Sequence, residues 1–151
     1  MYQATDNDTI TIGALAVRFL VESGDSNGTA SVFECHVPAN TRMPAPHSHD
    51  GFEETIYGLV GTTTWTIDGE TAEIGPGEAV CVKRGQIHGF QNQRDVDATF
   101  LAIATPGAFG PAYFREIGAV LAASAGGPPD LATALEVMRR HGLTPAPPNA
   151  A

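Results

Sequence analysis

The sequence predicts an all-β sandwich or barrel that is followed by two short helices. Over residues 10–104, short apolar segments alternate with turn signals, and segments of this length and spacing are typical of sandwiches and barrels. After residue 110 the apolar residues recur with the period of a helix instead. The chain has 151 residues, which is the size of one ordinary domain.

The first predicted strands are defined by their alternation and by the turns between them. Residues 10–20 are apolar with threonine and suit a bent or paired strand. Residues 29–37 alternate, with Phe33 and Val37 on one face. The proline-punctuated residues 38–46 then predict a loop that crosses to the next strand.

The later strands are arranged around one strong hairpin signal. Asp68-Gly69 predicts a two-residue turn between residues 62–67 and 70–74. The other strands are predicted over residues 54–60, 79–82, 88–92 and 98–104.

Two amphipathic segments predict the helices. The first, residues 111–123, carries a stripe of Phe114, Ile117, Val120 and Leu121. Asp130 is the expected N-cap of the second helix, whose apolar face holds Leu131, Ala134, Leu135 and Met138. These helices have too little core to form a separate domain, so we expect them to dock on the barrel.

This organisation predicts a single domain over residues 1–144. Its barrel is expected at about residues 10–104 and its helices at about 111–141, and residues 145–151 are expected to form a flexible tail.

The charge of the chain excludes several classes of partner. Asp and Glu outnumber Lys and Arg by 17 to 8, which gives a net charge of −9. Such an acidic chain is a poor partner for nucleic acid or for an anionic membrane. No apolar run has the length of a membrane span, and residues 1–8 contain no signal-peptide core. We therefore expect a cytoplasmic location.

Three of the five histidines fall in a pattern that indicates a metal site. His47 and His49 alternate, so on an extended backbone both imidazoles reach the same face. Glu54 follows at the start of the next strand, and His88 comes after a later turn. Three imidazoles and one carboxylate suit one divalent transition metal, with Mn, Fe, Co, Ni, Cu and Zn all open. His36, His141 and Glu53 are expected to lie outside this cluster.

The spacing of these residues resembles the two motifs of the cupin family. The first motif is matched by His47, His49, Glu54 and Gly61, and the second by Gly77, Gly85, His88 and Asn92. The resemblance implies a double-stranded β-helix, a jelly-roll-like cupin barrel, that binds the metal through His47, His49, Glu54 and His88. The layout is also similar to the small single-domain cupins that resemble quercetin dioxygenases, and residues 98–121 carry that similarity.

Two positions depart from the family pattern. Thr41 stands where a glycine is usual, and we expect the neighbouring Asn40 to adopt the left-handed backbone conformation instead. Gly58 has the parity of Glu54 and Ile56 and should face the barrel interior, where relatives often carry a larger side chain. It either leaves space near the metal or marks a strand kink or bulge.

The resemblance implies a metal-dependent dioxygenase that acts on a small aromatic or enolisable, flavonol-like substrate. In this interpretation the metal lowers the pKa of a substrate oxygen, Glu54 removes the proton as general base, and dioxygen is the second reactant. The expected pocket residues are Phe33, Ile56, Gly58, Trp65, Phe90 and Phe100. Core packing is the alternative role for Trp65, Phe90 and Phe100.

Other functions stay open because this fold hosts many reactions. One alternative is a non-oxidative isomerase, lyase or cyclase that uses the metal as a Lewis acid. Another is a metal-bearing module that binds a small molecule without catalysis. Small cupins also often pair through sheet edges, so a homodimer is expected, with residues 10–20 as the suspected contact.

Overall fold

The computed structural model describes residues 9–43, 45–124 and 126–147. Within these ranges two sheets pack on one another through a single hydrophobic core. The strands are β1 (Thr9–Ile12), β2 (Leu15–Val21), β3 (Ser31–Val37), β4 (His47–His49), β5 (Glu53–Val60), β6 (Thr63–Ile67), β7 (Glu70–Ile74), β8 (Ala79–Val82), β9 (His88–Gln91), β10 (Ala98–Thr105) and β11 (Leu143–Pro145). The helices are α1 (Pro111–Ala123) and α2 (Leu131–Arg140).

The two sheets are built from antiparallel pairs. One has the order β1-β2-β3-β10-β5-β8 and the other the order β11-β4-β9-β6-β7. This confirms the predicted double-stranded β-helix with two short helices at its C-terminal end. Neither of the two helices in the described ranges is long and apolar enough to cross a membrane.

The local turn signals produce the expected connections. Residues 10–20 belong to a paired strand, because β1 and β2 form a hairpin. Asp68 and Gly69 have φ values of 49° and 84°, as the favoured two-residue hairpin turn requires, and join β6 to β7. Asn40 has a φ of 55° and so adopts the expected left-handed conformation beside Thr41.

Strand alternation fills the core between the sheets. On β3, Phe33, Cys35 and Val37 are buried, whereas the residues between them are partly exposed. Trp65 of β6 comes from the opposite sheet and contacts Phe100 of β10 with the ring centroids 5.2 Å apart. The apolar faces of the two sheets therefore meet directly, as in other sheet-on-sheet packings.

The helices dock on the barrel, as expected, and Ala134, Leu135 and Met138 of the predicted apolar face of α2 pack against the core. Helix α1 packs on β1, and α2 packs on α1 and β11. Asp130 caps α2 by accepting a hydrogen bond from the Thr133 amide. Val137 and Met138 are the buried residues of α2, whereas Leu131 is 63% exposed, because only the C-terminal half of α2 lies against β11 and α1.

Strand β11 lies partly in the segment that was expected to be a flexible tail. It pairs with β4, so that Pro145 lies opposite His47, and the Ala146 amide donates to the Pro46 carbonyl. Pro145 and Ala146 are thus tied to the barrel, because the short strand β4 offers an edge with open backbone hydrogen-bonding groups. The rest of the expected tail from residue 148 onward, like residues 1–8, lies outside the described residues.

Gly58 does not leave space near the histidine cluster, so that expectation was wrong. Its amide donates to the Glu78 carbonyl, and its carbonyl accepts a hydrogen bond from the Gly77 amide. A Cβ atom at this position would collide with the backbone carbonyl of Gly75. The ladder to β10 also shifts register here, so the alternative of a strand bulge is confirmed.

We expect Gly58→Ala to lower the free energy of unfolding by about 1–3 kcal/mol, because two backbone segments must separate to admit the methyl group. Urea denaturation of the purified variant measures this change. Gly24→Ala is the matched control, since a Cβ there meets nothing within 4 Å. A Gly58→Ala variant as stable as Gly24→Ala would contradict the close approach.

Candidate metal centre

Three imidazoles and one carboxylate meet inside the barrel. His47 and His49 lie on β4, Glu54 on β5 and His88 on β9. His47 is the direct cross-strand partner of His88, which brings the two sequence motifs together. The four side chains belong to residues that are buried, with exposures between 1% and 8%.

The donor atoms of the three histidines all lie within 4.8 Å of one another, a spacing that suits one shared ion. The Nε2 atoms of His47 and His49 are 3.2 Å apart. Glu54 Oε2 lies 3.8 Å from His49 Nε2 and 3.7 Å from His88 Nε2. Ligand atoms about 2.1 Å from one ion stand on the order of 3–4 Å from one another. The arrangement is therefore compatible with a bound metal ion, and His47, His49 and His88 form its histidine triad.

Backbone hydrogen bonds fix the nitrogen that two of the histidines present. His47 Nδ1 lies 3.1 Å from the Ala45 carbonyl, and His88 Nδ1 lies 3.1 Å from the Gln86 carbonyl. A carbonyl only accepts, so each Nδ1 carries the proton and each Nε2 holds a lone pair. These lone pairs point into the cluster, which is the form of imidazole that binds a metal.

Burial keeps these imidazoles neutral. Desolvation, reinforced by the neighbouring His88, lowers the pKa of His47 to about 3. Desolvation, reinforced by His47 and His88, lowers the pKa of His49 to about 2, and desolvation lowers the pKa of His88 as well. Burial raises the pKa of Glu54 to about 7. A cation among the four groups would favour the ionised carboxylate, so the donor set fits a divalent metal.

The cluster forms one end of an apolar cavity of about 150 Å³. Four of the predicted pocket residues line this cavity, namely Phe33, Trp65, Phe90 and Phe100. The other two predicted pocket residues, Ile56 and Gly58, do not line the cavity. Ile56 is fully buried in the core between Ala102 and Val80 of the adjacent strands, and Gly58 faces the Gly75 backbone.

The two C-terminal helices supply a large part of the cavity wall, a role that was not predicted from their sequence. The lining residues from the helices are Tyr113, Phe114, Ile117, Leu121, Leu131, Ala134, Leu135 and Met138. The signal was present in the amphipathic stripes, which we interpreted as surfaces for docking. Much of each stripe faces the cavity, because the helices cover the barrel next to β1 and β2.

Three other titratable residues lie outside the cluster, as expected. His36 Nε2 is 3.5 Å from an Asp97 carboxylate oxygen on the outer face of the sheet. His141 Nε2 is 3.1 Å from Glu116, and Glu53 pairs with Arg84 at 2.9 Å. These groups have partners of their own and do not face the histidine triad.

We expect the free energy of unfolding of the metal-free protein to fall as the pH is lowered from about 6.5 to 4.5. In that window the unfolded chain protonates His47 and His49 near their ordinary pKa of 6.5, but the folded protein does so only at about 3 and about 2. Each proton bound only by the unfolded chain removes about 1.4 kcal/mol per pH unit. Glu54 acts in the opposite sense, because it is protonated in the folded state below about 7, and it offsets one of these protons.

Urea denaturation at several pH values in the presence of chelator measures this slope. His49→Gln should make the slope shallower, whereas His36→Gln, which changes a ring outside the cluster, should leave it unchanged. A free energy of unfolding that is independent of pH across this window would contradict the neutral buried imidazoles.

Comparison with known proteins places this geometry in a family. Residues 33–104 match the family described as Cupin domain. The chain is 24% identical over 116 residues to quercetin 2,3-dioxygenase of Bacillus subtilis (strain 168). That alignment covers 77% of this chain but 34% of the enzyme, so the chain spans about a third of its length.

Solved structures show the same fold. The polyketide cyclase RemF from Streptomyces resistomycificus has a TM-score of 0.59 and 29% identity, over 70% of this chain and 79% of that one. A predicted oxalate decarboxylase from Thermotoga maritima has a TM-score of 0.60 and 20% identity, over 69% of this chain and 92% of that one. Both sequence motifs lie within residues 33–104, which match the Cupin domain family, and their histidines meet in one buried cluster.

Proposed function

We propose that this chain is a metal-dependent cupin enzyme that acts as a dioxygenase on a small aromatic or enolisable molecule. One observation carries the proposal: the histidine triad and Glu54 form the polar end of a cavity whose other walls are apolar and aromatic. A purely structural metal site is closed by its own ligands, whereas this cluster faces a cavity that a substrate can enter. The similarity to a quercetin 2,3-dioxygenase supports the oxidative reaction.

The side chains of the cluster have distinct roles in this proposal. A divalent ion held by His47, His49, His88 and Glu54 would supply Lewis acidity and, when redox-active, reactivity toward dioxygen. Glu54 accepts the proton of the substrate hydroxyl, because its carboxylate lies at the polar end of the cavity and a neighbouring cation would keep it ionised. The aromatic wall excludes water and packs on the flat face of the substrate.

A non-oxidative cyclase is the second candidate. The polyketide cyclase RemF is 29% identical, and this chain covers 79% of it, compared with 34% of the dioxygenase. The same residues would serve a cyclisation in which Glu54 moves a proton and no dioxygen is consumed. An isomerase, a lyase and a non-catalytic binding module are further outcomes that the experiments below separate.

The homodimer through residues 10–20 and the cytoplasmic location stay predictions.

Protein purified without chelator or affinity nickel should contain about one equivalent of a divalent first-row metal, as elemental analysis measures it. His49→Ala should lose the metal, because it removes a central donor of the cluster. His36→Ala is the control and should keep it. Stoichiometric metal in His49→Ala would refute the assignment of the site.

Metal-loaded protein should consume oxygen when it is offered flavonols or smaller aromatic hydroxyketones. Glu54→Gln should lower kcat by at least about a hundredfold through loss of the general base. Glu53→Gln, at the exposed neighbour that pairs with Arg84, should keep the wild-type rate. Metal content is measured in both variants, so that loss of the ion is distinguished from loss of the base.

Three results would redirect this proposal. Turnover that continues without oxygen would replace the dioxygenase with the cyclase or another non-oxidative enzyme. Tight binding with full recovery of the compound would indicate the binding module. A Glu54→Gln variant that retains both its metal and the wild-type kcat would remove the catalytic role of Glu54.

A further inference from the structure

Tyr113 is the single polar side chain that α1 and α2 bring to the cavity, among the residues that the structure describes. The other helical lining residues are apolar. The strands contribute the histidine triad, Glu54, the weakly polar thiol of Cys35 and the indole N–H of Trp65, which donates to Thr63. The proposed mechanism makes no use of Tyr113. Its position on the helical wall therefore needs its own explanation.

No hydrogen bond joins the Tyr113 hydroxyl to another described residue, and this oxygen is not among the fully buried polar atoms without a partner, so it keeps accessible surface. The residue as a whole is 8% exposed and lines the cavity, where a ligand could supply the partner that tyrosine hydroxyls normally find. Burial and the negative charge of Glu54 raise the pKa of Tyr113 above its usual value, so the hydroxyl keeps its proton and can donate.

The aromatic ring of Tyr113 is held by packing rather than by hydrogen bonding. Its centroid lies 5.0 Å from that of Phe109, 5.1 Å from that of Phe114 and 5.7 Å from that of His141. These contacts hold the position of the ring on α1 and limit its movement. A donor whose ring is already held in place loses less entropy when a ligand arrives.

The volume of the cavity limits what can fill it. It measures about 150 Å³, and an engineered apolar cavity of about this size in another protein binds benzene. The space therefore accommodates one ring with small substituents, whereas a flavonol has three rings. The apolar walls suit the carbon skeleton of such a ring. Its oxygen atoms can bind at two polar positions, the cluster of histidines with Glu54 and the hydroxyl of Tyr113.

We propose that Tyr113 donates a hydrogen bond to the substrate, and that the substrate is a single-ring molecule with two oxygen functions. An ionisable hydroxyl lies at the cluster of His47, His49, His88 and Glu54. A carbonyl or similar acceptor receives the hydrogen bond of Tyr113. This inference rests on the proposed function and narrows its substrate class.

The test uses metal-loaded protein and a set of matched probes. The three hydroxyacetophenone isomers carry both oxygen functions, the corresponding ethylphenols lack the acceptor, and quercetin represents the three-ring flavonols. Dissociation constants are measured by isothermal titration calorimetry for wild type, Tyr113→Phe and the control Tyr57→Phe, which changes a tyrosine that is 41% exposed. Thermal melting verifies that each variant is folded.

We expect at least one hydroxyacetophenone isomer to bind wild type about five- to tenfold more tightly than its ethylphenol counterpart, as one hydrogen bond allows. Tyr113→Phe should abolish that preference and change the Kd of the ethylphenol less than about twofold. Tyr57→Phe should retain the preference. Quercetin should bind more weakly than the best single-ring probe.

A preference that survives Tyr113→Phe would overturn the inference. So would tighter binding of quercetin than of every single-ring probe, or the absence of measurable binding by any single-ring probe. Metal content and oxygen uptake, measured on the same samples, report separately on the proposed function. Loss of oxygen uptake with an intact Tyr113 preference would refute the dioxygenase and leave this inference standing.

Discussion

The burial of three neutral imidazoles beside one carboxylate is the constraint on which the rest of this structure depends. Polar groups that leave water without full compensation destabilise a fold, and here four of them are almost completely covered. The low pKa values of His47 and His49 and the raised pKa of Glu54 have this one cause. A divalent cation would compensate these groups at once, so the barrel that covers the cluster would gain stability from a bound ion.

Strand β4 connects this cluster to the C-terminal part of the chain. It is three residues long and carries two of the histidines, so its own interactions hold them only weakly. Strand β9 pairs with it on one edge and β11 on the other, and the Asp50 amide donates to the Gly142 carbonyl just beyond it. Helix α2 packs on β11, so the position of His47 and His49 is linked through β11 to that of the helices.

The local features of the fold could be predicted because their causes are local. Alternation identifies the inward face of β3, the Asp68-Gly69 pair sets a hairpin, and Asp130 caps α2. The histidine spacing predicts the cluster because it combines strand periodicity with ligand chemistry. Each of these depends on residues that are close in sequence or on a motif whose order is fixed.

The remaining features depend on contacts between distant segments. Nothing near Leu143 indicates that it will pair with His49, since the two residues are far apart in the sequence. Gly58 has the parity of an inward residue, but the approach of Gly75 decides its role. The cavity wall is missed for the same reason, because an apolar helical stripe looks identical whether it covers a core or a cavity.

The three histidines are oriented in two different ways, two by hydrogen bonds and one by ring stacking. His47 and His88 each donate to a backbone carbonyl, whereas the buried Nδ1 of His49 has no hydrogen-bond partner among the described residues. An unsatisfied buried polar atom costs about 1–3 kcal/mol. The ring of His49 is instead stacked on Phe52, with the centroids 4.2 Å apart, so packing rather than a hydrogen bond orients this ring.

The stack beneath His49 continues to the helical wall of the cavity. Phe52 stacks on Phe109 at 5.1 Å, and Phe109 contacts Tyr113 at 5.0 Å. One aromatic series therefore connects the packing of the His49 ring with that of the Tyr113 ring. Because close packing limits the movement of each ring, the histidine triad and the helical wall of the cavity are coupled through side-chain contacts rather than through hydrogen bonds.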